Sequence, residues 1–246
     1  MGSSVSVNKK KAGEPPGSEK AAASALPKKE TMAGPHKVCL VGSGNWYLPG
    51  ITIPENVVAV PDLLAAAEDA TLLVFVIPHQ FVKKTCDNLR GHLLPNCRAI
   101  SLIKGVDVHA GGLGLISDLI KQELGMDCAV LMGANIANEV AQEQLAEATL
   151  GYHDEEAGRL FQQLFHTKYF RVSTVKDVAG VELCGALKVE LRLFPGAQNV
   201  VAIGAGLSDG LKYGDNTKAA LIRIGLMEMR KFAKVFYQGV KDETFF

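Results

Sequence analysis

The chain has 246 residues, and its 26 Lys and Arg residues balance 26 Asp and Glu residues, so the formal net charge at pH 7 is zero. Hydrophobic residues make up 48% of the chain and charged residues 21%, which is the balance of a globular protein with a sizeable core. This composition excludes a disordered or collagen-like protein, and it excludes the large basic surface that binds nucleic acid.

The N-terminal segment differs from the rest in composition. Residues 1–31 carry six lysines and three glutamates and almost no large apolar side chain, so we predict a disordered tail over residues 1–36. The opening Met-Gly-Ser-Ser-Val-Ser fits the M-G-x-x-x-[ST] myristoylation pattern. An acyl group on Gly2, with Lys9–Lys11 as the basic second signal, predicts weak membrane association. An ordinary solvated tail is the alternative.

Beyond residue 36, short apolar runs alternate with amphipathic stretches. The runs predict strands at 37–41, 56–60, 71–77, 98–103, 128–132, 148–152 and 169–173, and the stretches between them predict helices at 62–69, 79–90, 111–124, 135–144 and 154–165. Several strands are apolar without alternation, which is typical of parallel strands covered on both faces. The pattern therefore predicts an α/β fold with a doubly wound sheet over residues 37–175.

The strand pattern stops near residue 176. Stretches rich in Ala, Leu, Ile and Met predict helices at 178–187, 199–211 and 216–236, and hence a second, all-helical region over residues 176–246. The longest uninterrupted apolar run, Leu72–Ile77, is far shorter than the roughly 20 residues of a transmembrane helix. The five cysteines are widely spread and form no C-x-x-C pair, so we expect reduced thiols and no metal site.

A glycine-rich loop follows the first predicted strand. Gly42-Ser43-Gly44-Asn45-Trp46 is the first part of the G-x-G-x-x-G dinucleotide fingerprint, in the position that the fingerprint requires. Tyr47 replaces the third glycine, and the nearby prolines and glycine of 49–54 are incompatible with an ordinary helix. The loop thus predicts a cofactor site that lacks its usual phosphate-binding helix. A tight glycine turn without a cofactor is the alternative.

Six longer stretches resemble the animal cytosolic NAD-dependent glycerol-3-phosphate dehydrogenases. They are KVCLVGSGNW (37–46), LLVFVIPHQF (72–81), ISLIKGVD (100–107), VLMGANIANEVA (130–141), VELCGALK (181–188) and NVVAIGAGLSDGLKYGDNTKAALIRIGLMEM (199–229). The resemblance implies a Rossmann-like sheet followed by a helical domain, NAD as cofactor, and a cytoplasmic homodimer. The reaction it implies reduces dihydroxyacetone phosphate with NADH to sn-glycerol 3-phosphate.

The same resemblance assigns roles to individual residues. It makes Lys188 the general acid/base, and it makes Lys104 and Asn199 substrate contacts. The cofactor contacts that it implies are Gly42, Ser43, Gly44, Asn45, Trp46, Phe81, Lys104 and Ala137. Without the family, Asn135 is interpreted as an ordinary helix cap.

Three departures from the family pattern set this chain apart. The family's first helix and second strand are skipped after Trp46, VELRLFPGAQ (189–198) is inserted after Lys188, and the chain stops at Phe246, before later helices that complete the substrate site. We therefore expect an internally deleted and truncated variant, in which the missing strand uncovers apolar surface on its neighbours. A catalytically impaired variant, acting as a non-enzymatic or membrane-tethered partner, is the alternative function.

Overall fold

The computed structural model describes residues 4–8, 36–42, 52–109, 112–133, 135–186 and 197–245. Within these ranges the strands form one eight-stranded sheet and one two-stranded hairpin. The strands of the sheet are β1 (Ser4–Asn8), β2 (Lys37–Val41), β3 (Val57–Val60), β4 (Leu72–Phe75), β5 (Arg98–Ser101), β8 (Cys128–Met132), β9 (Ala146–Gly151) and β10 (Phe170–Val175), and those of the hairpin are β6 (Val106–His109) and β7 (Gly112–Leu115).

Helices connect and cover the strands. They are α1 (Leu63–Ala67), α2 (Val82–Leu89), α3 (Ile116–Leu124), α4 (Ala137–Ala141), α5 (Glu155–Phe165), α6 (Val178–Ala186), α7 (Ala197–Gly210) and α8 (Asp215–Phe236), with 3-10 turns at His79–Phe81 and Asp242–Thr244. α1 and α5 begin at aspartate caps: Asp62 accepts a hydrogen bond from the amide of Ala65 (2.8 Å), and Asp154 accepts one from the amide of Ala157 (3.0 Å).

The sheet has the order β10-β9-β8-β5-β4-β2-β1-β3. Strands β2, β4, β5 and β8 run parallel to one another, and every residue of β4 and β8 is buried. The predicted α/β fold with parallel strands covered on both faces is confirmed. β9 pairs antiparallel with β8, and β10 pairs parallel with β9.

The prediction of a disordered tail is wrong for residues 4–8. They form β1, which lies between β2 and β3 and runs antiparallel to both. The predicted gap in the sheet is thus occupied at this position by a strand from the N-terminal segment. The physical reason is that the backbone groups of β2 and β3 need hydrogen-bond partners, and the Ser-Val-Ser-Val pattern suits an extended strand. The rest of the predicted tail, apart from His36, lies outside the described residues.

A second correction concerns the helix predicted at 111–124. It begins only at Ile116, because the preceding residues form the second strand of the β6–β7 hairpin. The sequence Gly111-Gly112-Leu113-Gly114 has a low helix propensity, so the apolar spacing that favoured a longer helix was misleading there.

Past β10 the described residues contain helices and no strand. α6 packs against β8 and β9, and α7 packs against α8. The buried carboxylate of Asp177 caps α6 through the amide of Gly180 (2.8 Å), and it also accepts hydrogen bonds from the amide of Lys241 (2.8 Å) and the hydroxyl of Thr244 (2.6 Å). One carboxylate therefore fixes both the start of α6 and the last described segment. A domain boundary near residue 176 stays a prediction.

Within the described residues, no helix is both long enough and apolar enough to cross a bilayer.

Candidate functional site at the carboxyl edge of the sheet

Four predicted site residues follow four adjacent parallel strands. Gly42 follows β2, Phe81 follows β4, Lys104 follows β5, and Ala137 follows β8. Because the carboxyl ends of parallel strands meet at one edge of a sheet, the topology brings these residues to the same edge. Lys104 is half-buried, whereas Phe81 and Ala137 are exposed, so the edge offers one partly shielded cation beside accessible apolar surface.

Gly42 is packed so closely that only glycine fits. Its φ of 111° lies in the region that side chains disfavour, and a Cβ atom there would lie 2.6 Å from Cγ2 of Ile77 and 2.9 Å from the carbonyl oxygen of Val76. The amide of Val76 donates to the carbonyl of Val41 (3.0 Å), which draws the end of β4 against Gly42. Gly42 therefore takes a glycine-specific backbone conformation at the point where the strand order reverses. This is the place where doubly wound sheets bind ligands.

The remaining predicted site residues are only partly described. Ser43, Gly44, Asn45, Trp46 and Lys188 lie outside the described residues. The backbone of Asn199 belongs to α7. Their assigned roles stay predictions.

Asn135 lies at the same edge and is not the helix cap that the sequence predicted. Its Oδ1 atom is buried and has no hydrogen-bond partner among the described residues. It does not cap α4, whose N-cap is Ile136, and its Nδ2 atom lies 2.5 Å from where a Cβ on Gly133 would be. A buried acceptor without a donor is costly, so Asn135 is ready to accept a hydrogen bond from a ligand at this edge. The only sequence signal was a Gly-Ala-Asn triplet directly after a buried strand.

The helix that leads to Lys188 is anchored by a buried glutamate. Glu182 in α6 is fully buried, and its carboxylate accepts hydrogen bonds from the amides of Ile116 (2.6 Å) and Ser117 (3.2 Å) and from the Ser117 hydroxyl. These are the first residues of α3, whose own N-cap position, Leu115, offers no side-chain cap. Glu182 therefore caps α3 from outside and joins it to α6.

The environment of Glu182 alters its acidity. Burial raises the pKa of the Glu182 carboxyl to about 7, although the hydrogen bonds from Ser117 and Ile116 act in the opposite direction. The nearby Asp118 carboxylate raises the pKa further. Glu182 is therefore a titratable group in the middle of the junction between the sheet and the helices.

A cavity of about 510 Å³ adjoins the carboxyl edge on the side of α6. Met132 and Gly133 line it from the end of β8, and Cys184 and Gly185 line it from the last turn of α6. Its other wall is polar and comes from β9, β10 and their neighbours, with Glu147, Thr149, His166, Arg171, Ser173 and Thr244 among the lining residues. None of Gly42, Phe81, Lys104 and Ala137 lines this cavity, so it lies beside the predicted cofactor contacts.

Three buried cysteines are poor nucleophiles. All five are free, and burial raises the pKa of the Cys39 and Cys97 thiols to about 11 and that of Cys86 to about 12. Such thiols stay protonated and unreactive near neutral pH. In the described part of the chain, no three His, Cys, Asp or Glu side chains come together as a metal site.

Comparison with known sequences gives a consistent result. Residues 44–158 match the family model described as NAD-dependent glycerol-3-phosphate dehydrogenase N-terminus, and residues 177–246 match the corresponding C-terminus model. The chain is 56% identical over 200 residues to the cytoplasmic NAD(+) glycerol-3-phosphate dehydrogenase of Homo sapiens, covering 81% of this chain and 54% of the human protein. It is 54% identical over 263 residues to that of Rattus norvegicus, covering 87% of this chain and 72% of the rat protein.

The solved structures agree with the sequences. A glycerol-3-phosphate dehydrogenase from Saccharomyces cerevisiae is 45% identical with a TM-score of 0.68, over 80% of this chain and 56% of the yeast chain. The chain thus spans about half the length of the human and yeast relatives.

The packing at Gly42 gives a first prediction. We expect Gly42→Ala to lower the free energy of unfolding by about 3 kcal/mol or more, because the new Cβ meets both an unfavourable φ and the atoms of Val76 and Ile77. The matched control is Gly91→Ala, which also has a positive φ but no atom within 4 Å. It should cost only about 1–2 kcal/mol. Urea unfolding of both variants measures the difference, and equal losses would contradict the close packing.

The buried carboxyl gives a second prediction, on pH dependence. The pKa of Glu182 is about 7 in the folded chain and near 4.5 when unfolded. Between pH 4.5 and pH 7 the folded state therefore keeps a proton on Glu182 that the unfolded state has lost. The contribution of Glu182 to the free energy of unfolding is therefore full below pH 4.5 and falls by about 3 kcal/mol as pH rises to 7. Glu182→Gln should remove this dependence of the free energy of unfolding on pH.

The measurement is urea unfolding of wild type and Glu182→Gln from pH 4.5 to 8. The control is Glu55→Gln, which removes a carboxylate at an exposed position and should keep the wild-type slope. A Glu182→Gln profile parallel to that of the wild type would show that Glu182 does not titrate in this range.

Proposed function

Because the chain belongs to the NAD-dependent glycerol-3-phosphate dehydrogenase family, we propose that it reduces dihydroxyacetone phosphate with NADH to sn-glycerol 3-phosphate. The observation that carries this proposal is the edge where Gly42, Phe81, Lys104 and Ala137 follow the carboxyl ends of four adjacent parallel strands. Ligands of doubly wound sheets bind at that edge. The reaction is reversible, and the same residues bind the ligands and transfer the proton in both directions.

The described residues at this edge fit NAD. The glycine-specific conformation at Gly42 allows the backbone to approach a pyrophosphate closely, and the unpaired Oδ1 atom of Asn135 offers an acceptor for a hydroxyl or amide donor of the dinucleotide. Phe81 is 52% exposed and offers an apolar ring to a planar group. When bound, NADH supplies the hydride.

The protein then has to orient the ketone and transfer one proton to its oxygen atom. We assign Lys188 to protonate the carbonyl oxygen during reduction, and to take the proton back in the reverse direction. Lys104 is assigned to place a positive charge at the end of β5, where it attracts the anionic substrate. Asn199 is assigned to hold the substrate. The described part of α6 reaches Ala186, two residues before Lys188 in the sequence, so we propose that the anchoring of α6 by Glu182 helps to position the acid.

The short connection after β2 limits the proposed activity. Only residues 43–56 separate Gly42 from β3, and β1 lies between β2 and β3. The prolines and glycine of 49–54 leave no room for the family's first helix, whose N-terminus would favour the phosphates by up to about 2 kcal/mol. We therefore expect weaker NADH binding, by roughly tenfold or more, than in a relative that has this helix.

The proposal extends to location and partners. The human and rat relatives are named cytoplasmic, and we propose the same location for this chain. We also propose a homodimer, which is supported by exposed apolar side chains on α7 and α8: Ile203, Leu207, Ile222 and Ile224. Weak membrane association through Gly2 and Lys9–Lys11 is proposed from the sequence motif alone.

The proposed reaction is tested by the absorbance of NADH at 340 nm with the purified chain and dihydroxyacetone phosphate. We expect slow, saturable NADH oxidation, and we expect Lys188→Ala to lower kcat by about 100-fold or more, because the acid is lost. Lys84→Ala, at an exposed position of α2, is the control for a lost lysine and should keep the wild-type rate. A folded chain without turnover, or turnover that Lys188→Ala leaves unchanged, contradicts the proposal.

A further inference from the structure

The strand β1 is the feature that the proposed reaction does not explain. It makes five residue pairs with β2 and four with β3. Ser4 lies opposite Val41 of β2 and opposite Val60 of β3. β3 stands at the end of the sheet, and β1 is its only strand neighbour among the described residues. The attachment of β3 to the sheet therefore depends on β1.

The slot between β2 and β3 has the properties of a peptide-binding site. β2 and β3 each present one edge of backbone donors and acceptors to it, and β1 pairs with both edges, which is how sheets bind an added extended segment. Its occupant is only five residues long, Ser-Val-Ser-Val-Asn. A ligand of this length forms few ladder bonds, so its binding free energy is small.

The tether makes this binding intramolecular. Residues 9–36 join β1 covalently to β2, so the segment binds at an effective concentration in the mM range that typifies short linkers. A weak ligand at such a concentration occupies its site most of the time and still leaves it readily. The parallel strands β4 and β5 differ from β1. Their residues are mostly buried, and each of the two strands pairs with a strand on both sides.

We propose that the slot between β2 and β3 is a strand-binding site whose ligand is the chain's own segment Ser4–Asn8, bound in cis and released without unfolding of the rest of the sheet. The antiparallel direction means that the chain enters β1 beside Val41, next to Gly42. Binding of the segment therefore completes the sheet where β2 ends. Release frees β3 at the edge of the sheet.

Hydrogen exchange of the unmodified full-length chain tests the release directly. We expect the amides of β1 and the β3 amides that face it to exchange with a common opening constant, at least tenfold faster than the amides of β4. Amides of β3 that exchange as slowly as those of β4 would overturn the proposal, because β1 would then leave only on global unfolding.

A variant tests which segment fills the slot. Consecutive amides of a strand point to opposite neighbours, so Val5→Pro with Ser6→Pro removes one donor toward β2 and one toward β3. We expect this double variant to lose protection at β3 while β10, at the opposite edge, keeps its protection. The control carries Ala22→Pro and Ala23→Pro, outside the paired register, and should exchange as the wild type does. Full protection of β3 in the first variant would overturn the assignment of the occupant.

A synthetic peptide supplies the ligand from outside. We expect the peptide of residues 2–9, Gly-Ser-Ser-Val-Ser-Val-Asn-Lys, to restore protection of β3 in the double-proline chain at mM concentration, and we expect the same peptide with the two prolines to have no effect. No rescue by the native peptide would overturn the strand-binding site. Protection of β3 in the wild type that rises with protein concentration would overturn binding in cis and would show a second copy as the source of the strand.

Discussion

The parallel pairing of β2 with β4 is the constraint on which the rest of the structure depends. Three of the five residues of β2 are buried, and buried backbone groups need hydrogen-bond partners. β4 supplies these partners along one edge of β2, and β1 occupies the other edge in the antiparallel direction. The pairing with β4 holds Gly42 at the point where the strand order reverses, and the loops after β4, β5 and β8 gather at the same edge.

A second link joins this edge to the helices. Glu182 bonds to the first turn of α3 while it belongs to α6, so one carboxyl group couples a helix of the sheet layer to the helix that leads toward Lys188. Burying an acid costs free energy that its hydrogen bonds offset only in part. The buried carboxylate fixes the position of α6 against the sheet. Gly185 of this helix lies so close to Met132 that a Cβ on Gly185 would come within 2.4 Å of the Met132 sulfur atom.

Much of this architecture could be predicted from the sequence, for physical reasons that can be named. Continuous apolar runs such as Leu72–Phe75 predicted buried parallel strands, because only a strand covered on both faces needs no polar side. The cofactor edge was predicted from the glycine-rich loop after the first strand and from the family resemblance, whereas the atoms of Val76 and Ile77 that crowd Gly42 are visible only in the packing. Ser4–Asn8 was missed because its alternating Ser-Val pattern lies in a segment of low hydrophobicity, and because its pairing depends on a gap elsewhere in the chain. The prediction that Asn135 caps a helix was wrong because its side chain packs against Gly133, and the helix that follows is capped at Ile136.

The most direct test of the account is the place where NADH binds. Hydrogen exchange of the full-length chain with and without saturating NADH measures it, since a ligand slows exchange at the backbone it covers. The account predicts slower exchange in the segments that follow β4, β5 and β8, around residues 76–82, 102–105 and 133–137, with β10 unchanged. Unchanged exchange in these three segments, or protection confined to the cavity wall of β9 and β10, would contradict a dinucleotide site at the carboxyl edge of the sheet.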